Sequence, residues 1–309
     1  MRIAFVFPGQ GSQSVGMLAG FAGNAAVENV LARADAALGF SLTGLIAEGP
    51  AEALSLTVNT QPAMLASSVA FYKAWRAAGG RTPDVMAGHS LGEYSALCAA
   101  GAFTLEDAVK LVRFRAEAMQ NAVPVGVGGM AAIIGLRDED VLAACEEARS
   151  EGAVEAVNFN APGQVVIAGE KAALRKAIEC AKARGCRRAI ELPVSAPFHS
   201  SLLASAGEKL AARLAEIDVK SPSVPVIANV DVEVHAEPDA IRTALARQAS
   251  SAVQWVRTIE RMKAEGVTDV VECGPGKVLT GLLRRTAPEL TGHNIYDAAT
   301  LAAVLEKLQ

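Results

Sequence analysis

Apolar residues follow two alternating rhythms along the chain. Ile3–Phe7 and Val85–Ala87 are short apolar runs bounded by Pro, Gly or polar residues, the pattern of buried strands. Between them Gln61–Ala78 reads as a helix closed by Gly79-Gly80, and a further helix is predicted from about Glu93. Thr104 followed by Asp107 resembles a capping box for a helix that begins near Leu105 and reaches about Asn121, where Val123-Pro124 stops it. This alternation predicts parallel βαβ units.

After Pro124 the texture changes. Gly126-Val127-Gly128-Gly129 leads into a predicted strand at Met130–Ile134, then a helix near Asp138–Glu151 and strands near Val154–Asn158 and Gln164–Ala168. A helix at Lys171–Arg184 and a strand at Arg188–Leu192 complete a β-α-β-β-α-β series, the ferredoxin-like order. From Ser195 the first pattern resumes, with a helix at Leu202–Ile217 and a strand at Val226–Asn229. Helices near Asp239–Gln248 and Val253–Glu265 and a strand at Asp269–Cys273 follow. The expected organisation is one α/β domain formed by 1–124 and 195–309, with an α+β subdomain at 125–194 inserted between its halves. An insertion needs termini that lie close together, and this strand order supplies them.

Composition narrows the function classes. Of 309 residues 51% are hydrophobic but only 5% aromatic, which predicts a sizeable core packed from small side chains. Lys and Arg total 29 against 33 Asp and Glu, a net charge of −4 without long like-charge runs, so no nucleic-acid partner is expected. No apolar stretch has the length of a membrane span, and the N-terminal run is too short for a signal peptide. The five cysteines (Cys98, Cys145, Cys180, Cys186, Cys273) form no C-x-x-C pair, so neither a disulfide framework nor a metal site is expected. A cytoplasmic monomer without membrane contacts is the expectation.

Three glycine motifs imitate phosphate loops and fail. Gly9-Gln10-Gly11 follows a strand but has Ser14 at the third glycine position. Gly126-x-Gly128 is followed by a predicted strand rather than a helix, and Gly276-Lys277 lacks both the first glycine and the Ser/Thr of a Walker loop. Turn formation accounts for them better than nucleotide binding. Backbone N–H groups at Gly9–Gly11 remain able to receive an oxyanion.

Gly88-His89-Ser90-Leu91-Gly92 matches G-x-S-x-G, with a strand before it and a helix after it, as a nucleophile elbow requires. There the Leu91 N–H can face a developing oxyanion, with a helix-capping serine as the alternative reading of Ser90. A serine hydroxyl needs a base. His89 adjoins the nucleophile and points elsewhere if Ser90 points outward, and His235 lies in a polar segment between Glu233 and Glu237. His199, at the start of a predicted helix whose dipole disfavours imidazolium, and His293, late in the chain, both remain open. A base neutral near pH 7 predicts activity that rises between pH 5 and 8.

On the helix from Leu105, Arg115 shares a stripe with Ala108, Val109, Leu111, Val112 and Met119. A charge on that face needs either an internal carboxylate or a polar cavity, where its fork would match a substrate carboxylate.

Together these residues resemble malonyl-CoA:acyl carrier protein transacylases of type II fatty acid synthesis and, more widely, the acyltransferase domains of polyketide synthases. The resemblance runs through nearly the whole chain. Its carriers are 7–13 (Phe-Pro-Gly-Gln-Gly-Ser-Gln), Thr60-Gln61-Pro62-Ala63, 87–94 (Ala-Gly-His-Ser-Leu-Gly-Glu-Tyr), Val157-Asn158-Phe159-Asn160, Ala196-Pro197-Phe198-His199-Ser200 and 272–279 (Glu-Cys-Gly-Pro-Gly-Lys-Val-Leu). It implies an α/β-hydrolase-like core around the parallel sheet, Ser90 as the acylated nucleophile and His199 as its base. It further implies that the Gln248 carbonyl holds the ring, that Gln10 and Leu91 N–H groups form the oxyanion hole and that Arg115 pairs with the malonyl carboxylate. Gln61 and Phe198 would line the acyl site. The residues before the histidine vary among relatives with the acyl group chosen, and Ala196-Pro197-Phe198 leans towards malonyl.

The implied substrates are malonyl-CoA and acyl carrier protein, with no metal or other cofactor. Carrier proteins of this type are acidic, so Lys277, Arg284 and Arg285 are docking candidates, with helix-end dipole pairing as the alternative for the two arginines. Other readings use the same features. These are a polyketide-type enzyme with another extender unit, a serine thioesterase or esterase, with His293 as the esterase's base, and a catalytically silent scaffold that binds carrier protein.

Overall fold

β1 (Ile3–Phe7) is buried at all five positions, because both of its faces are covered. Its side chains alternate between two cores: Ile3, Phe5 and Phe7 face one, Ala4 and Val6 the other. A computed structural model of the chain describes residues 1–194 and 196–308.

Helices α1 (Ala25–Leu38), α2 (Leu42–Glu48) and α3 (Ala51–Leu54) lie where the apolar rhythm predicts no element. Local signals support the first of them. Asn24 accepts hydrogen bonds from the N–H groups of Ala26 and Val27, and Gly39 ends the helix in the left-handed region at φ 74°. α4 spans Thr57–Ala77, a turn longer at its start than predicted, with Pro62 inside it. A proline there removes only one early backbone bond, so the helix passes through it. Phe5 packs against Tyr72 and Trp75 of this helix, with ring centroids 5.8 and 5.3 Å away. β2 (Val85–Gly88), α5 (Leu91–Ala99) and α6 (Leu105–Gln120) follow as the sequence predicts. Thr104 Oγ1 accepts from the Asp107 N–H at 3.1 Å, the expected cap.

The next segment holds β3 (Gly128–Ile134), α7 (Asp138–Ala148), β4 (Val154–Ala161), β5 (Gln164–Glu170), α8 (Lys171–Ala183) and β6 (Arg188–Glu191). Their sheet is antiparallel throughout and ordered β4-β5-β3-β6, as a ferredoxin-like unit requires. One face carries Ala131, Ile133, Val165 and Ile167 against α7 and α8. Met130, Val166 and Ala168 turn the other face to the larger core.

The last third supplies α9 (Ala204–Ala215), β7 (Val226–Ile227), α10 (Pro238–Gln248), α11 (Trp255–Ala264) and β8 (Asp269–Cys273), then α12 (Val278–Thr286), β9 (Thr291–Ile295) and α13 (Ala298–Leu308). The helix expected from Val253 starts at Trp255, because Val253 exchanges backbone hydrogen bonds with Val157 and Phe159 of β4 and joins the two sheets. The larger sheet is parallel, in the order β7-β2-β1-β8-β9. It draws strands from both sides of the antiparallel segment. At the start of α12 the Glu272 carboxylate accepts from the N–H groups of Leu279 and Thr280. Its own side chain therefore occupies the helix N-terminus where a phosphate would sit, the physical reason that Gly276-Lys277 is no Walker loop.

Candidate active site

The elbow is made by close approach of main chains. A Cβ on Gly88 would fall 1.8 Å from the Gly92 carbonyl carbon, and one on Gly92 would fall 2.0 Å from the Phe7 carbonyl oxygen. No side chain fits at either position. Between them Ser90 is held at φ 53° and ψ −109°, just before α5 begins. A residue with a Cβ in such a region is strained by on the order of 1–3 kcal/mol, so its neighbours must over-determine it. They do so on both sides: the Ser90 N–H donates to Asn229 Oδ1 at 2.7 Å, and its carbonyl accepts from Gln248 Nε2 at 2.9 Å.

Ser90 Oγ lies 2.7 Å from His199 Nε2, and His199 Nδ1 lies 2.8 Å from the Gln248 carbonyl oxygen. That oxygen can only accept, so Nδ1 carries the proton and Nε2 turns its lone pair to the hydroxyl. Burial pulls the ring's pKa down to about 3, with the nearby Arg115 charge as the second cause. The helix dipole expected to keep the ring neutral is not the agent, since a 3₁₀ turn at Ser201–Leu203 separates His199 from α9. The expected rise in activity between pH 5 and 8 is corrected with it, because the ring is already neutral across that range.

Arg115 is 1% exposed. One terminal nitrogen donates to Gln61 Oε1 at 2.8 Å, and the other donates to Gln248 Oε1 at 2.8 Å and Ser90 Oγ at 3.2 Å. The guanidinium carbon lies 5.1 Å from the Tyr94 ring centre, and Nε has no partner among the described residues. These hydrogen-bond acceptors are all neutral. Burial draws the guanidinium's pKa downward, the mark of a cation whose lost water is only partly replaced. The Glu93 carboxylate is reached only through the Gln248 amide, whose Nε2 donates to Glu93 Oε2 at 2.7 Å. Burial pushes the Glu93 carboxyl up to about 7, against the hydrogen bonds it accepts from Gln248 and Asn229.

Gln10, Gln61, Ser90, Leu91, Arg115, Phe198 and His199 border one cavity of about 540 Å³, with Met119, Met130, Leu192 and Val194 as apolar wall. The His89 N–H donates to the Phe7 carbonyl at 3.0 Å, which lays the loop after β1 along the elbow, and Gln10 and Leu91 both border the cavity. Gln248 stands behind this wall and touches Ser90, Arg115 and His199 at once.

The rival histidines lie elsewhere. His89 Nε2 is 2.7 Å from Asn160 Oδ1 with its ring against Trp255, and His235 is 3.3 Å from Asp231. His293 sits on β9 with Nε2 2.8 Å from Asp269 Oδ1. His293→Ala should therefore leave Ser90 acylation unchanged and lower stability by about 1–3 kcal/mol, since Asp269 would lose a buried partner. Denaturant unfolding beside an acylation assay checks both.

Sequence reasoning missed Glu93 and Asn229. A signal for the first existed: Glu93 is a carboxylate on a helix whose nine residues are all buried, the same anomaly that singled out Arg115. Asn229 follows a strand end at the carboxyl edge of a parallel sheet, where functional groups collect, but nothing local separates it from a turn residue. Among the described residues no group of three or more His, Cys, Asp or Glu could hold a metal ion, and no single helix is long and apolar enough to cross a membrane.

A serine at a strained elbow, a neutral histidine and an unpaired cation in one cavity define a serine acyltransferase, and the chain belongs to the acyl transferase domain family, whose model matches residues 4–307. Within that family it is similar to the malonyl CoA-acyl carrier protein transacylase of Escherichia coli (strain K12), 53% identical over 306 residues that cover 99% of each chain. It is similar at 44% identity to the same-named protein of Bacillus subtilis (strain 168), over 100% of this chain and 98% of the relative. The crystal structure of an acyl-carrier-protein S-malonyltransferase from Burkholderia pseudomallei 1710b superposes with a TM-score of 0.98 at 58% identity, covering 99% of this chain and 100% of that one. A malonyl-transacylase in complex with its type II PKS acyl-carrier protein matches with a TM-score of 0.98 at 46% identity, over 99% of this chain and 100% of that one.

Proposed function

We propose that the protein transfers a malonyl group from coenzyme A to the phosphopantetheine thiol of acyl carrier protein through a malonyl ester on Ser90. The observation that carries the malonyl part is Arg115, a buried guanidinium with only neutral partners, 3.2 Å from the nucleophile's oxygen. In the first half-reaction His199 Nε2 takes the Ser90 proton as Oγ attacks the thioester carbonyl. The oxyanion rests on the N–H groups of Gln10 and Leu91, the C–S bond breaks, and the imidazolium returns the proton to the leaving thiolate. In the second, the carrier's thiol gives its proton to His199 and attacks the ester, and Ser90 Oγ leaves and takes the proton back. Gln248 keeps the ring in the required tautomer, Gln61 steadies Arg115, and Phe198 forms part of the apolar wall. No step needs a metal or redox cofactor.

Domain organisation fits this chemistry. Residues 1–124 and 195–309 would form the catalytic unit and 125–194 the inserted subdomain, a reading supported by a parallel sheet drawn from both flanks. Its boundary residue Ser195, like Gln309, lies outside the described residues. Met130, Asn158 and Leu192 reach the cavity from the subdomain, so the acyl site lies between the two units.

Mass spectrometry after brief mixing with malonyl-CoA tests the reading. The chain should gain one malonyl group that persists until a carrier thiol is added, and Ser90→Ala should gain none. Rapid loss of the group to water would instead favour a thioesterase.

For the carrier's docking, Arg285 is already engaged, donating to Gln164 Oε1 and to the Pro162 carbonyl. Lys277, 4.8 Å from the Tyr296 ring centre, and Arg284 are exposed and are the better candidates. Lys277→Glu with Arg284→Glu should slow transfer to carrier protein on the order of tenfold, more at low salt, and spare acylation by malonyl-CoA. Equal loss in both half-reactions would mean structural damage.

A further inference from the structure

Behind the elbow, Glu93 and Asn229 are 2% and 0% exposed, and neither takes part in the reaction written above. A carboxylate on a wholly buried helix has lost its water and persists only where donors replace it. Two donors do so, both at Oε2: the Asn229 N–H at 3.0 Å and Gln248 Nε2 at 2.7 Å. Each belongs to a residue that grips the elbow's main chain. Asn229 accepts from the Ser90 N–H through Oδ1 and donates through Nδ2 to the Gly88 carbonyl at 2.7 Å. Gln248 donates its second Nε2 hydrogen to the Ser90 carbonyl, offers Oε1 to Arg115 and its own carbonyl to His199. One carboxylate oxygen is thus the common anchor of both clamps on the strained serine.

We infer that Glu93 is a positioning residue for acyl transfer, holding Ser90 through Asn229 and Gln248 and keeping Arg115 and His199 in register with it. The inference rests on the reading of Ser90 as nucleophile. Asn229 follows β7 and Gln248 ends α10, so the clamps come from separate elements. Without the shared acceptor the Gln248 amide is free to turn and the main chain at Asn229 loses its anchor, so Ser90 relaxes towards an ordinary φ and Oγ swings out of line with His199 Nε2. A misplacement of about 1 Å is enough to slow an attack about 10²-fold. Acetyl has no carboxylate for Arg115 to hold, so with that group the loss belongs in the chemical step.

Single-turnover acylation by malonyl-CoA and by acetyl-CoA, with melting temperatures, tests this on the full chain. Glu93→Asp keeps the charge but is one methylene too short to meet both donors, and Glu93→Gln keeps the reach without the charge. Glu93→Asp and Glu93→Ala should slow saturated acylation on the order of 10²-fold with both acyl groups, while the half-saturating concentration of acetyl-CoA moves by less than about threefold. Glu93→Gln should recover at least about tenfold of that loss, because an amide oxygen accepts the same two hydrogen bonds. If Glu93→Ala does not fold, the contrast between Asp and Gln decides. Near-normal acylation in Glu93→Asp, or a Gln variant as slow as Asp, would overturn the inference. Acylation that survives Ser90→Ala would overturn the nucleophile reading instead, whatever the Glu93 variants do.

Discussion

Arg115→Ala is expected to slow malonylation of Ser90 roughly 30- to 3,000-fold and to change acetylation far less, the range that follows from losing one partner of a buried charge pair. The two substrates part for different reasons. Malonyl loses a charge-assisted contact that little water can replace, in a cavity walled by Met119, Met130, Leu192 and Val194. Acetyl offers the guanidinium nothing, so the wild-type site leaves a cation incompletely paired whenever acetyl binds, and the alanine variant does not. Arg115→Lys should recover only part of the malonyl rate, because an ammonium cannot bridge Gln61 and Gln248 while offering a fork to the carboxylate. Malonyl and acetyl acylation rates, measured with the melting temperature, check the result. Equal loss of both rates with a fall in stability would make Arg115 a structural residue.

The second large effect belongs to His199. His199→Ala should reduce acylation by at least about 10²–10⁴-fold, the usual contribution of a general base, with binding of malonyl-CoA retained. The pH dependence carries more information. A base must be neutral, and burial holds this ring's pKa at about 3, so kcat/KM should be lost only as pH falls towards that value. A bound malonyl carboxylate offsets the Arg115 charge that helps to hold the pKa down. The limb in kcat, which reports the complex, should therefore lie at higher pH than the limb in kcat/KM, and with acetyl the two should lie closer together. The Glu93 carboxyl, raised to about 7, is the other group able to titrate near neutrality. A kcat/KM limb near 6.5 that persists in Glu93→Gln would mean that the ring is not held neutral by burial.

Much of the fold was legible because its causes are local. Apolar runs marked β1 and β2, and period and capping marked α6. The order of elements from Met130 to Leu192 marked the ferredoxin-like unit, whose observed strand order agrees. The helices α1 to α3 and α13 and the edge strand β9 were not predicted, although Asn24 and Gly39 bracket α1 with ordinary capping signals. At the site the elbow was legible for the same local reason: Gly88 and Gly92 are required by main-chain contacts at the turn itself. Arg115 was legible as a charge on an apolar stripe, though not its partners.

What the chain's sequence determined by itself is therefore the strand–turn–helix that strains Ser90, the stripe that buries Arg115 and the division into two kinds of sheet. Each follows from sterics or periodicity within a few turns of chain. Which histidine stands beside Ser90 was set only by tertiary structure. His199 lies 109 residues from Ser90 along the chain, and Gln248 lies 133 from Arg115, yet packing around the parallel sheet sets them within hydrogen-bond distance. The same holds for the agent that keeps His199 neutral, which is loss of water rather than a helix dipole, and for the carboxylate of Glu93 behind the elbow. Desolvation depends on what surrounds a group after folding, and no residue carries that information alone.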